Sequence, residues 1–311
     1  MMNPKTWPKR HARGHLPHAK SRKNDMQSMS FMFTRDLKQG IMPSRYGRET
    51  PDYKVELKNK DKALDKRLTT LLDVSRSPVN NLSEGVSEFI ETCTMYMSYW
   101  GEVVFEILRD EKSGEAEKFD SLPPKTVKKI LWQYIQFIPK QDIADDGKRF
   151  IRVPSEHIWR ITMPSELGGV RKHRKMIRRL NELSNTTPQF TFEGLDFGSK
   201  DGFEFDYHHM SRDIAIEQCT HRFGTIPSFG QLKHTMEYYF IANRLQSALA
   251  KALLREHIVK ELNALMARLD IDNELVVSGI PTAKDIRVIA EELQQGKVSF
   301  ADALDRAKPL L

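Results

Sequence analysis

Six of the nine residues in RKHRKMIRR, residues 171–179, are lysine or arginine: Arg171, Lys172, Arg174, Lys175, Arg178 and Arg179. Such side chains hold phosphates, because each phosphate they neutralise releases condensed counterions. On a helix, the three- and four-residue spacings put Arg171, Arg174, Lys175 and Arg178 on one stripe, a geometry suited to a phosphate backbone. A solvated face, or one that makes ion pairs with a neighbouring subunit, carries the same signature. These six residues are the candidate nucleic-acid-binding set.

Other chemistry finds little support. Glu256, His257 and Glu261 fall close together on a helical pattern, but no third ligand with metal-site spacing stands nearby, so a solvated face is expected. His208 and His209 adjoin at what reads as a hairpin end and point in different directions. The sequence holds no GxxxxGK[ST], GxGxxG, CxxC, HExxH or GxSxG motif. No catalytic residue, metal or cofactor is therefore assigned, and the chain is not expected to be an enzyme. Trp100, Trp132 and Trp159 lie in apolar patterns and are expected in the core rather than as platforms for bases.

The 311 residues suffice for one large domain or two ordinary ones, and their net charge of +7 favours a polyanionic partner as readily as it describes an ordinary basic surface. Cys93 and Cys219 sit in apolar helical patterns and are expected as buried free thiols of a reducing compartment. No apolar run reaches the length of a membrane span, and the first residues lack the apolar core of a secretory signal. The expectation is a soluble intracellular product with no membrane partner.

Residues 1–25 carry seven Lys/Arg, three His and three prolines ahead of the first acid, Asp25. They read as a basic arm unable to bury enough apolar surface to offset its ordering entropy. The flexible arm is expected to extend over 1–50. Beyond it, DKALDKRLTTLLDV has helical period, and Asn81 with Glu84 marks the start of a buried helix ending at Gly101. Strands are expected in EVVFEILRD, YIQFIP, RFIRVP and HIWRITMP, with turns at EKSGE and DDGK. SELGGVRKHRKMIRRLNELS returns to helix, and Gln189 to Tyr207 alternates as a small hairpin. SRDIAIEQCTHRF is helical up to Gly224. After Pro227 and Gly230 nothing breaks a helix from about Gln231 to Leu269, whose length calls for a structural reason. A strand in ELVVSG and helices in AKDIRVIAEELQQG and KVSFADAL, the last capped by Ser299 or Asp302, complete the chain.

This order of elements from about Ser83 to Asp305 resembles that of the portal proteins of tailed bacteriophages. YWGEVVFEILRDEKSG is similar to a portal wing, where a helix ends at an aromatic-Gly step and feeds a strand and hairpin. LPPKTV, YIQFIP and VPSEHIWRITMP resemble the strands that follow, and IAIEQCTHRFGTIPS the passage from stem helix to wing helix. ELQQGKVSFADAL is similar to the C-terminal ending of the family. The resemblance implies an α+β portal-like fold with a mixed β wing, long helices and a helical stem. Its parts would be a wing-like region over 51–164, stem helices with a small clip-like hairpin over 165–223, and a long wing helix with a C-terminal α/β segment over 224–311. It implies a homo-oligomeric ring, twelve-fold by analogy, forming a channel for double-stranded DNA in packaging and ejection at a capsid vertex. Capsid, terminase and head-tail connector proteins would be partners, and the protein would reside in the virion after assembly in the host cytoplasm. The chain departs from the family in its short length, small clip and basic arm. The alternative is a basic nucleic-acid-binding or regulatory protein of a mobile element or host.

Overall fold

The unbroken stretch after Gly230 forms α6, Glu237–Arg268, a helix about 48 Å long at 1.5 Å per residue. Its length is explained by burial: Ala248, Ala250, Ala252, Leu254 and Ile258 are wholly inaccessible, so α6 is the spine around which the rest is packed. The computed structural model describes residues 28–43, 53–74, 79–110, 113–138, 149–185, 205–224 and 237–310. Residues 1–27, the DDGK turn, the hairpin over 189–204 and the first residues expected of the long helix lie outside them.

The architecture is α+β, as expected. Helices α1 (Ser28–Lys38), α2 (Lys62–Leu71), α3 (Leu82–Trp100), α4 (Gly169–Asn185) and α5 (Phe205–Thr220) precede α6. Helices α7 (Ala283–Gln294) and α8 (Phe300–Ala307) follow it. Local signals explain several boundaries. Asn81 accepts the amide of Glu84 at the start of α3, Thr282 and Asp285 form a reciprocal capping box on α7, and Ser299 caps α8. Gly101 ends α3 with φ 78°, a left-handed conformation that costs glycine nothing.

Strands β2 (Glu102–Arg109), β3 (Ala116–Leu122) and β7 (Ile158–Thr162) make one antiparallel sheet in the order β3-β2-β7. Strands β4 (Val127–Ile130), β5 (Gln133–Phe137) and β6 (Phe150–Pro154) make a second. Strand β2 is buried on both faces because it lies between two layers. Val103, Phe105 and Ile107 enter the main core, while Val104 joins Leu122, Ile138, Ile151, Val153 and Ile158 in a smaller one. Phe89, Phe105, Phe119 and Trp159 stack where α3 meets the first sheet, with centroids 5.4 to 6.4 Å apart. Strands β1 (Lys54–Leu57) and β8 (Leu275–Ser278) pair antiparallel from distant parts of the chain.

Three expectations are corrected. The flexible arm over 1–50 contains α1, whose Met29, Phe33 and Leu37 form a stripe at four-residue spacing that enters the core, followed by buried Ile41 and Met42. The run of basic residues with Pro4, Pro8 and Pro17 precedes it. Trp132 is 71% exposed, because with Leu131 it occupies the two-residue turn between β4 and β5 and so leaves both faces of the sheet. Phe205–Tyr207, with His208 and His209 after them, belong to α5 rather than to a hairpin end. Leu71, Leu180 and Leu254, from the three segments expected over 51–164, 165–223 and 224–311, all take part in one core.

Candidate nucleic-acid interface

Helix α4 is held against α3 by its apolar side and by one histidine. Met176, Ile177, Leu180 and Leu183 are buried, and His173, inaccessible between them, donates Nε2–H to the carbonyl of Ser98 at 2.7 Å. Burial pushes its pKa down to about 4, so the ring is neutral, and its Nδ1 has no hydrogen-bond partner among the described residues. Gly101 lies against Val170 at the start of α4, where a β-carbon would make an ordinary 3.4 Å contact, so its positive φ rather than crowding is what calls for glycine. With the apolar side fixed inward, the arginines and lysines must face outward.

All six predicted cations are exposed. Two are engaged within the chain. Arg174 donates from Nη2 to Glu102 Oε1 at 2.6 Å and from Nε to the carbonyl of Trp100 at 3.0 Å, and Arg179 pairs with Glu182 at 3.2 Å. Glu102, only 2% exposed, also accepts Arg160 Nε at 2.6 Å, so one buried carboxylate anchors two guanidiniums. Arg171, Lys172, Lys175 and Arg178 have no ion-pair partner among the described residues.

The structure adds a second wall that the basic stripe did not reveal. A cleft of about 790 Å³ separates Arg174, Ile177, Arg178 and Asn181 of α4 from Lys125, Lys128 and Lys129 in and before β4. Tyr99, Trp100, Glu102 and Arg160 also line it. Six cationic side chains therefore face one carboxylate, and that carboxylate is already shared by two of them. Trp100, expected in the core, is half-buried at the cleft, edge-on to Tyr99 with Lys125 Nζ 4.4 Å above its ring. Lysines held over aromatic faces form a fixed positive wall with little acid to screen it, suited to diffuse attraction of phosphates rather than to reading bases. The cluster in PKTVKK was visible in the sequence, but only the strand pairing brings it opposite α4.

The other titratable groups are spent on structure. Glu256 accepts the amide of Ala283 at 2.6 Å and His257 donates to the carbonyl of Thr162 at 2.9 Å, tying α6 to α7 and β7, where a solvated face was expected. Cys93 is a buried free thiol pushed well above its usual pKa by burial, and half-buried Cys219 is pushed up to about 11 by the same cause. Among the described residues, no group of three His, Cys, Asp or Glu side chains is placed to hold a metal ion, and no helix is long and apolar enough to cross a membrane.

No family model matches this chain, and no curated protein matches its sequence. Among solved structures it is similar to an HK97 family phage portal protein from Corynebacterium diphtheriae, at 11% identity and a TM-score of 0.42, covering 82% of this chain and 95% of that one. A superposition this loose carries no inference about function.

Proposed function

We propose that the chain is a portal-like subunit: copies form a closed ring at a phage capsid vertex, and double-stranded DNA passes through its channel during packaging and ejection. The observation that carries this reading is the paired basic surface of α4 and β4: Arg174 and Arg178 line one cleft with Lys125, Lys128 and Lys129, and Arg171, Lys172 and Lys175, without an ion-pair partner among the described residues, continue the exposed basic face of α4. The order of elements that resembles a portal supports it, with the helix, Gly101 step and β2–β3 hairpin present as expected. DNA moving through a channel must slide, which diffuse phosphate attraction permits and base-specific hydrogen bonds would resist. The proposal includes twelve-fold symmetry from the resemblance. Terminase, capsid and connector proteins are the partners, and no catalytic activity belongs to the subunit itself.

Triple substitution of Arg171, Lys175 and Arg178 by Gln tests the role of α4. Because Arg174 already serves Glu102, it is left in place. DNA affinity should fall similarly for all sequences, and the slope of log affinity against log salt should flatten by about 2 to 3. Rings seen by negative-stain microscopy should persist. Rings that dissolve while DNA affinity is unchanged would make the stripe an intersubunit surface. The same cations would equally serve a basic nucleic-acid-binding protein that forms no ring, and a strictly monomeric protein at high concentration would select that reading.

A further inference from the structure

The cations around α4 fall into two sets that the sequence runs together. Lys125, Lys128, Lys129, Arg160, Arg174 and Arg178 line the concave space of about 790 Å³, whereas Arg171, Lys172 and Lys175 are exposed on α4 and take no part in the lining. An outer face suits a long rod with its charges spread along it, as in duplex DNA. A concave space of this size, bordered by convergent polar side chains, suits a small ligand that carries its charges close together. Two of the cleft cations are fixed before any ligand arrives. Arg160 gives Nε and Nη2 to Glu102, and Arg174 gives Nη2 to Glu102 and Nε to the carbonyl of Trp100. Their side chains remain 39% and 50% exposed, so each guanidinium is held by the protein yet open to an anion, which lowers the ordering cost of binding. Glu102, the one acid in the lining, has both oxygens engaged by these two arginines. Lys125 Nζ stands over the Trp100 ring and Tyr99 meets the same ring edge-on, so the indole already holds a cation on one face.

We infer that this cleft binds a compact polyphosphate, three or more phosphates in one chain, and that its occupation weakens DNA binding by taking cations that the two ligands share. Six convergent cations against one spent carboxylate match a ligand of dense negative charge better than a single phosphate, which could engage only part of the wall. Inorganic triphosphate and a nucleoside triphosphate share this chemistry, and recognition of the phosphate chain alone means that a base adds nothing. The inference rests on the reading of this surface as one that attracts phosphates, and it adds an inhibitor to that surface.

The test is calorimetric titration of the full chain at fixed ionic strength, without divalent metal, using inorganic triphosphate, ATP and orthophosphate as probes. Triphosphate should bind once per chain and at least about tenfold more tightly than orthophosphate, with ATP within about threefold of triphosphate. Replacing the exposed Lys125, Lys128 and Lys129 together by Gln should weaken triphosphate at least about tenfold. Replacing Arg171, Lys172 and Lys175 by Gln removes the same charge and should change it by less than about threefold, with circular dichroism unchanged in both variants. Saturating triphosphate should weaken DNA binding to the wild type beyond a chloride control of equal ionic strength, an arm that needs no variant. Equal losses from the two triple variants would make the attraction diffuse and overturn the site, as would ATP binding more than about tenfold tighter than triphosphate, or no binding of triphosphate. DNA affinity unmoved by triphosphate would overturn the inhibition. Failure of the DNA reading shows separately: a protein that binds triphosphate in the cleft but no DNA at low salt would overturn that reading and leave the polyphosphate site standing.

Discussion

Glu102 sets the charge of the basic cleft. It is the first residue of β2, buried, and shared by Arg160 and Arg174. Replacing it with Gln leaves two guanidiniums facing a neutral amide, so folding stability should fall by about 2 kcal/mol while affinity for DNA rises. Thermal melts and salt-dependent DNA titration would read the two effects, and a fall in both would show that the carboxylate only organises the wall. His173 gives a pH signature. In the folded chain its ring stays neutral to about pH 4, whereas the unfolded chain takes up the proton near 6.5, so the unfolded state binds more protons between those values. Stability should therefore decline as pH falls from about 6.5 towards 4, by up to about 3 kcal/mol from this residue. The urea midpoint of His173→Gln should be flatter across that window than that of the wild type.

At the scale of elements, α1 separates what the sequence disclosed from what it concealed. Caps and periodicity were legible wherever the signal is local: Asn81, Thr282 and Ser299 begin helices, and the strand from Glu102 and its hairpin lie where β-branched residues replace helical spacing. Helix α1 has the same kind of stripe, but it follows a strongly basic, proline-broken segment whose composition masked it. Phe33 is fully buried and meets Phe223 edge-on at 5.1 Å, so Phe33→Ala should cost about 3 to 5 kcal/mol, measured by urea unfolding. A near-neutral result would mean that α1 is an appendage. The cleft was half legible for a different reason. Arg171 to Arg179 are contiguous, whereas Lys125, Lys128, Lys129 and Arg160 reach the site only through β pairing, which no local pattern encodes.

Over the whole molecule, one main core draws on α1, on α4 and on α6 through α8. Chemical denaturation should accordingly give a single transition, with far-UV circular dichroism and tryptophan fluorescence coincident. Two separated transitions would instead reveal segments that fold independently. The pairing of Lys54–Leu57 with Leu275–Ser278 has a consequence for synthesis. Strand β1 leaves the ribosome more than two hundred residues before its only partner among the described strands, and α6 must wait for Leu310, whose carbonyl accepts the buried Lys251 amine at 2.9 Å. Until residues 275–278 and Leu310 have been made, a nascent chain thus carries an unfinished sheet edge and an unclosed core. Chains growing side by side on one polysome expose that edge to one another throughout the delay, so wrong pairing between them is favoured until the partner strand arrives.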